Sequence, residues 1–248
     1  ILVHCNGNFT LEIQGLTQTS LLPVDPYEGE YAYWSNKGDE SDITLTRLFD
    51  FQDVDGNITM SYWTWYDLED EYDYLYLLVS EDGDRWDILR TPHSTDDDPS
   101  GNSYGWAYNG KSGDWINEKI DLTQYAGQKI FVRFEYVTDA AVNGEGFLLD
   151  EITISAINYY TGFEQDEGGW EADGFVRVSN TLPQTYSLSL VNLDTQPSIE
   201  RISLDQENFL SMPLNLSIHS DLLIVISGTT RFTRIPAYYR FRIIDNSQ

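Results

Sequence analysis

The stretch "WTWYDLEDEYDYLYLLVS", residues 63–80, decides the fold. Five carboxylates fill the seven positions from Asp67 to Asp73, and a run of aromatic and apolar residues follows from Tyr72 onward. Alternating side chains line the two faces of a β-strand, so the run predicts a sandwich strand with the acids at its entry, on the rim. Like charges packed this closely repel. Catalysis, metal ligation and plain solvation are the three readings open to them.

The same signature recurs outward along the chain. "FTLEIQG" (9–15), "DITLTRLFDF" (42–51), "NITMSYWTWYDL" (57–68), "KIFVRFEYVTD" (129–139) and "GFLLDEITISAI" (146–157) alternate or are rich in β-branched and aromatic residues. "GFVRVSN", "TYSLSLVNL", "SIERISLD", "LNLSIHS", "LLIVISG" and "YYRFRII" carry the pattern through the second half. Turn residues separate them, as at Asp55-Gly56-Asn57, which reads as a hairpin, and Glu81-Asp82-Gly83-Asp84. The helical signal is a single turn in "DLTQYAG" (121–127), capped by Asp121 and ended by Gly127. Short strands at this spacing predict an all-β protein of antiparallel sandwiches. The acidic bias ends near 157–162, which places one large sandwich over 1–157 and a second, smaller β-sandwich domain over 158–248.

Charge narrows the partners. The formal net charge is −27, and residues 1–157 hold 30 Asp and Glu against 8 Lys and Arg. Such a surface repels nucleic acid and anionic membranes and attracts cations. The longest apolar run, "LLIVI" at 222–226, is far short of the roughly 18–20 residues that span a bilayer, so no membrane insertion is expected. "ILVHCNGNFTLEIQG" lacks the basic region and cleavage site of a signal peptide and starts on Ile, which predicts a processed product or a piece of something longer. Its strand reads as an unanchored terminal strand able to pair with a neighbouring chain, a route to self-assembly. Cys5 is the lone cysteine and His4, His93 and His219 are scattered, which argues against a zinc site of Cys/His type.

The sequence has no His-Glu-x-x-His and no Gly-x-Gly-x-x-Gly, so the chain is read as non-catalytic. Paired carboxylates can hydrolyse glycosides, but acids are so abundant here that finding a pair carries no information. Calcium suits them better, because it takes about six to eight hard oxygens in irregular geometry. Three clusters qualify. Asp39 lies with Glu40 and Asp42; Asp67, Glu69, Asp70 and Asp73 lie in the opening stretch; Asp139, Glu145 and Asp150 flank a Gly-rich turn. Strand ends from distant positions can meet at one rim of a sandwich, so these acids either share a cation or face only water. "NSYGWAYNGKSGDW" (102–115) offers Tyr104, Trp106, Tyr108 and Trp115 as core and loop anchors or as a stacking platform for sugars.

"YAYWSNKGDESDITLTRLFD", "WTWYDLEDEYDYLYLLVSEDG", "NSYGWAYNGKSGDW" and "DLTQYAGQKIFVRFEYVTDAAVNGEGFLLDEI" resemble the domain that follows the catalytic unit in immune inhibitor A-type secreted bacterial metallopeptidases. That domain is similar to MAM modules, a jelly-roll β-sandwich. "GGWEADGFVRVSNTLPQTYSLSLV" and "LLIVISGTTRFTRIPAYYRFRI" resemble the terminal β domain of the same proteins. The resemblance implies a MAM-like jelly roll and an extracellular, secreted or cell-surface location. It also implies an accessory role beside a peptidase catalytic domain, stabilising the enzyme or engaging substrate, an extracellular protein or a glycan surface. The zinc-binding helix of the family has no matching position, so peptidase activity and zinc are not carried over. Calcium is common in such jelly rolls, and the matching acids are Asp39, Asp67, Glu69, Asp70, Asp139, Glu145 and Asp150. A structural subunit of an extracellular fibre and a carbohydrate-binding module are the competing readings.

Overall fold

The structure is a computed structural model, and it describes residues 2–3, 7–193, 196–216 and 221–246. His4, Cys5 and His219 lie outside the described residues. In chain order the strands are β1 (Leu2–Val3), β2 (Gly7–Gly15), β3 (Gln18–Thr19), β4 (Tyr31–Trp34), β5 (Asp42–Asp50), β6 (Thr59–Asp67) and β7 (Tyr74–Ser80). They continue with β8 (Asp87–Ile88), β9 (Ile116–Asp121), β10 (Lys129–Val137), β11 (Gly146–Ile154), β12 (Tyr159–Thr161), β13 (Glu171–Asp173) and β14 (Val176–Ser179). The last six are β15 (Leu182–Pro183), β16 (Tyr186–Asn192), β17 (Ser198–Ile202), β18 (Phe209–Leu216), β19 (Leu222–Gly228) and β20 (Tyr239–Asp245). Among the described residues no helix is long and apolar enough to cross a membrane.

The chain divides into a larger unit, Asp25–Ser179, and a smaller one built from Ile1–Val24 and Asn180–Gln248. In the larger unit two antiparallel sheets face each other, ordered β13-β5-β10-β7-β8 and β14-β4-β11-β6-β9, with β12 added to β11. Alternation explains the inner face: Ile130, Val132, Phe134 and Tyr136 of β10 are buried, while the residues between them are half-exposed or exposed. They meet Tyr62, Phe147 and Leu149 from the opposite sheet. Phe134 packs edge-on to Tyr62 at 5.2 Å, and burying each such ring contributes on the order of 2–3 kcal/mol. β7 departs from the pattern because it is buried on both faces. Leu75, Leu77 and Val79 enter the core, while Tyr74, Tyr76 and Leu78 pack under Ala107, Trp86 and Ile88.

Two expectations meet a different arrangement, and a third is met. The chain divides at 24/25 and 179/180 rather than at 157/158, because β13 and β14 extend the two sheets of the larger unit by pairing with β5 and β4. The 51–58 segment is no hairpin: β5 and β6 belong to opposite sheets, so it crosses between them. The expected single helical turn is present, at Thr123–Tyr125, with Asp121 Oδ1 accepting the Thr123 N–H at 2.9 Å.

The smaller unit pairs the sheet β1-β19-β16-β17 with the sheet β18-β2-β20. Leu11, Ile13, Leu188, Leu190, Leu214 and Ile224 form its core. The strand expected to be unanchored, β2, is instead the central strand of its sheet, paired on both sides. Its partners lie about two hundred residues away in sequence, which local patterning cannot reveal.

Candidate metal centre

Register gathers the acids at one end of the larger sandwich. β10 pairs with both β5 and β7, and Val137 lies opposite Asp42 on one side and Tyr74 on the other. Asp73 therefore leads into β7 beside the exit of β10, where Asp139 follows. Glu69 arrives through a tight turn in which the Asp73 N–H donates to the Glu69 carbonyl at 3.1 Å, with Glu71 in the left-handed region at φ 69°. One oxygen from each of Glu69, Asp73 and Asp139 lies within 4.8 Å of the other two. All three are hard donors, the chemistry a calcium ion selects.

The electrostatics are unfavourable without a proton or a cation. Asp73 is wholly buried. Its Oδ1 accepts the Asp139 N–H at 3.0 Å, and its Oδ2 accepts the Tyr136 hydroxyl at 3.2 Å. Burial nonetheless raises its pKa to about 6; those two hydrogen bonds hold it down, and the charges of Glu69 and Asp139 push it further up. Glu69 is also raised, by desolvation first and then by Asp139 and Asp39. Its Oε2 is shielded from solvent and meets no hydrogen-bond partner among the described residues. A shielded carboxylate oxygen without a donor is what a cation would satisfy.

Asn109 braces the turn from a separate loop. Its Nδ2 donates to the carbonyls of Glu69 at 3.2 Å and Asp73 at 2.9 Å, and its Oδ1 accepts the Glu71 N–H at 3.1 Å. Sequence reading missed this residue, since one Asn in a polar loop carries no signal of its own. Gly144 is similarly constrained: a Cβ there would collide with the Asp67 carbonyl, so glycine lets the 142–146 turn approach β6.

The remaining predicted ligands are placed as follows. Asp39 is at the periphery, with Oδ1 accepting the Asn143 amide at 2.7 Å. Asp67 pairs with Lys111 at 3.1 Å, and Glu145 with Lys37 at 2.5 Å. Asp70 lies against Gly110, in an open depression also lined by Asp67, Glu69 and Asn143. Asp150 is elsewhere. It sits opposite Trp63, four residues along β11 from the Gly146–Asp67 pair, at a register shift where Glu151 adopts φ 53°. Its carboxylate, fully buried, accepts the N–H groups of Glu28 at 3.2 Å and Glu151 at 2.8 Å. Burial raises its pKa to about 7 against those bonds.

A second buried carboxylate, also unpredicted, is Glu118. One of its oxygens lies 2.9 Å from His93 Nδ1, while Oε2 finds no partner among the described residues. Their own burial first, and then the Glu118 charge, push the Tyr62 and Tyr108 hydroxyls well above their ordinary range; these two share a 2.6 Å hydrogen bond. Tyr108 is therefore core, whereas Tyr104 is strongly exposed and stacked on Tyr76.

Residues 8–180 match the family described as Immune inhibitor A-like, MAM domain. The chain is 36% identical to Immune inhibitor A of Bacillus thuringiensis subsp. alesti over 170 residues, 67% of this chain and 23% of that protein. It is 28% identical over 145 residues to pre-pro-metalloprotease PrtV of Vibrio cholerae serotype O1 (strain M66-2), 58% of this chain and 15% of the relative. A third relative, Bacillopeptidase F of Bacillus subtilis (strain 168), is 31% identical over 101 residues, 40% of this chain and 6% of its own length. The chain thus spans less than a quarter of each of these relatives. With the match running through the whole of the larger unit, the chain belongs to the immune inhibitor A-like MAM domain family.

Proposed function

We propose that this chain is a non-catalytic accessory region of a secreted peptidase, and that its larger sandwich is held at one rim by a structural calcium ion. Family membership, and two relatives whose names are those of peptidases, support the accessory role and the extracellular location. The observation that carries the calcium reading is the buried Asp73, packed with Glu69 and Asp139, together with the undonated Glu69 Oε2. Glu69, Asp73 and Asp139 would hold the ion, with Asp39 and Asp70 near enough to recruit it from solvent. The ion would tie the entries of β5 and β7 to the exit of β10. Its neighbour in the parent protein would be the peptidase catalytic domain, and the rigid rim would keep the accessory sandwich intact in a proteolytic environment.

Thermal unfolding with calcium and with a chelator tests this. A ligand at about 100 times its Kd adds about 2.7 kcal/mol. For a unit of this size that raises Tm by roughly 5–10 °C. An unchanged Tm on adding calcium to chelated protein would sink the calcium reading. Deleting the region from the parent protein tests the accessory role, with loss of stability or of substrate turnover expected.

A further inference from the structure

The smaller unit carries a feature that stands whether or not the rim holds a cation. β20 is an outer strand, and its far edge pairs with no strand among the described residues. The register shows which groups point outward. Asn246 N–H donates to Asn8 and Leu16 N–H to Tyr238, so positions 238, 240, 242, 244 and 246 bond inward to β2. The N–H and C=O groups of Tyr239, Phe241 and Ile243 then face away from the sheet. On the other side of this sheet, β18 carries Pro213, which blanks an edge donor in the way proteins protect exposed strands. β20 has no such block.

Its side chains reverse the local charge. Residues 231–244, "RFTRIPAYYRFRII", hold four arginines and no acid in a chain of net charge −27. Arg240 and Arg242 share one face of β20 with Glu12 and Gln14, and Arg242 is two-thirds exposed although its Nη2 reaches Glu12 at 2.5 Å. Tyr239 and Phe241 occupy the other face and are each about 40% exposed. An incoming strand places its side chains directly opposite these. β17, the outer strand of the other sheet, has Glu200 beside Arg201 and offers no such bias.

We propose that the β20 edge captures an extended peptide whose residues alternate between acidic and apolar. The acids meet Arg240 and Arg242, the apolar residues meet Tyr239 and Phe241, and the main chain completes a fourth strand. Pairing of β20 with a second copy of itself is disfavoured, because an antiparallel pair centred on Phe241 sets Arg240 against Arg242 of the other copy.

The test uses the full chain and a fluorescent peptide of alternating Glu and Val, eight residues long. Binding is expected, weakening with salt, and the amide signals of Tyr239, Phe241 and Ile243 shift most in NMR spectra. A Lys-Val peptide, and a Glu-Val peptide N-methylated at alternate residues, should each bind at least tenfold more weakly. The Arg240→Glu/Arg242→Glu variant should invert the preference toward the Lys-Val peptide. The peptide controls read out on the unaltered chain, so they hold if that variant misfolds. No binding of the Glu-Val peptide, equal binding of its N-methylated form, shifts confined to other residues, or a concentration-dependent dimer through β20 would each overturn the proposal.

Discussion

Asp73 Oδ1 accepts the backbone N–H of Asp139 at 3.0 Å, while the carboxylate of Asp139 contributes to the same oxygen cluster. The main chain thus holds together two acids whose charges push them apart. Removing Asp73 should therefore have opposite effects in the two calcium states. In chelator, Asp73→Asn should raise stability by about 1 kcal/mol, because a buried charge is gone. With calcium, the increment of about 2.7 kcal/mol should fall below about 1. Urea unfolding of both proteins in both buffers checks this, and parallel behaviour would remove the cation from the account.

Asn109→Ala removes three hydrogen bonds from the 69–73 turn. At about 0.5–1.5 kcal/mol each, the loss should be roughly 2–4 kcal/mol. Calcium affinity measured by titration calorimetry should drop with it, since the ligands lose their fixed spacing.

Asp150 sets a pH dependence of its own. Its folded pKa of about 7 is raised above the ordinary carboxylate range, so between about pH 4 and pH 7 the folded state binds more protons than the unfolded one. Stability contributed by this group is greatest below that window and falls as pH rises through it, by at most about 4 kcal/mol. Asp150→Asn should flatten that portion of the pH–stability curve. The difference between the two proteins, followed by urea unfolding from pH 4 to pH 8, isolates Asp150 from the other raised acids, Glu69, Asp73, Glu135 and Glu151.

His93 is the partner that Glu118 has in the described structure. His93→Ala should cost about 1–3 kcal/mol by stranding a buried carboxylate. Adding Glu118→Gln should recover part of that loss, so a double-mutant cycle should give a coupling of at least about 0.5 kcal/mol.

The fold was legible where one face of a strand meets the core, as in "KIFVRFEYV", whose alternation matches its burial residue for residue. It was less legible in β7, whose outer face is covered by a loop some thirty residues downstream. The rim was legible as a region, because strand entries and exits must meet there. Which acids converge was not: a register shift in β11 carries Asp150 away, Lys111 and Lys37 occupy Asp67 and Glu145, and Asn109 arrives from another loop. The extent of each unit was hidden for the same reason, since β13 and β14 look like a fresh start and are in fact the last strands of the first sandwich.

The larger unit is an insertion within the smaller one, and this imposes an order on synthesis. Residues 25–179 hold all of their own sheet partners and can fold as soon as they are made. β2 emerges earlier but must wait for β18 and β20, so Leu11 and Ile13 stay unburied until almost the whole chain has been made. Protease cuts near residues 25 and 180 would release a sandwich that survives and orphan a strand that cannot, which makes limited proteolysis a direct readout of the chain's nested architecture.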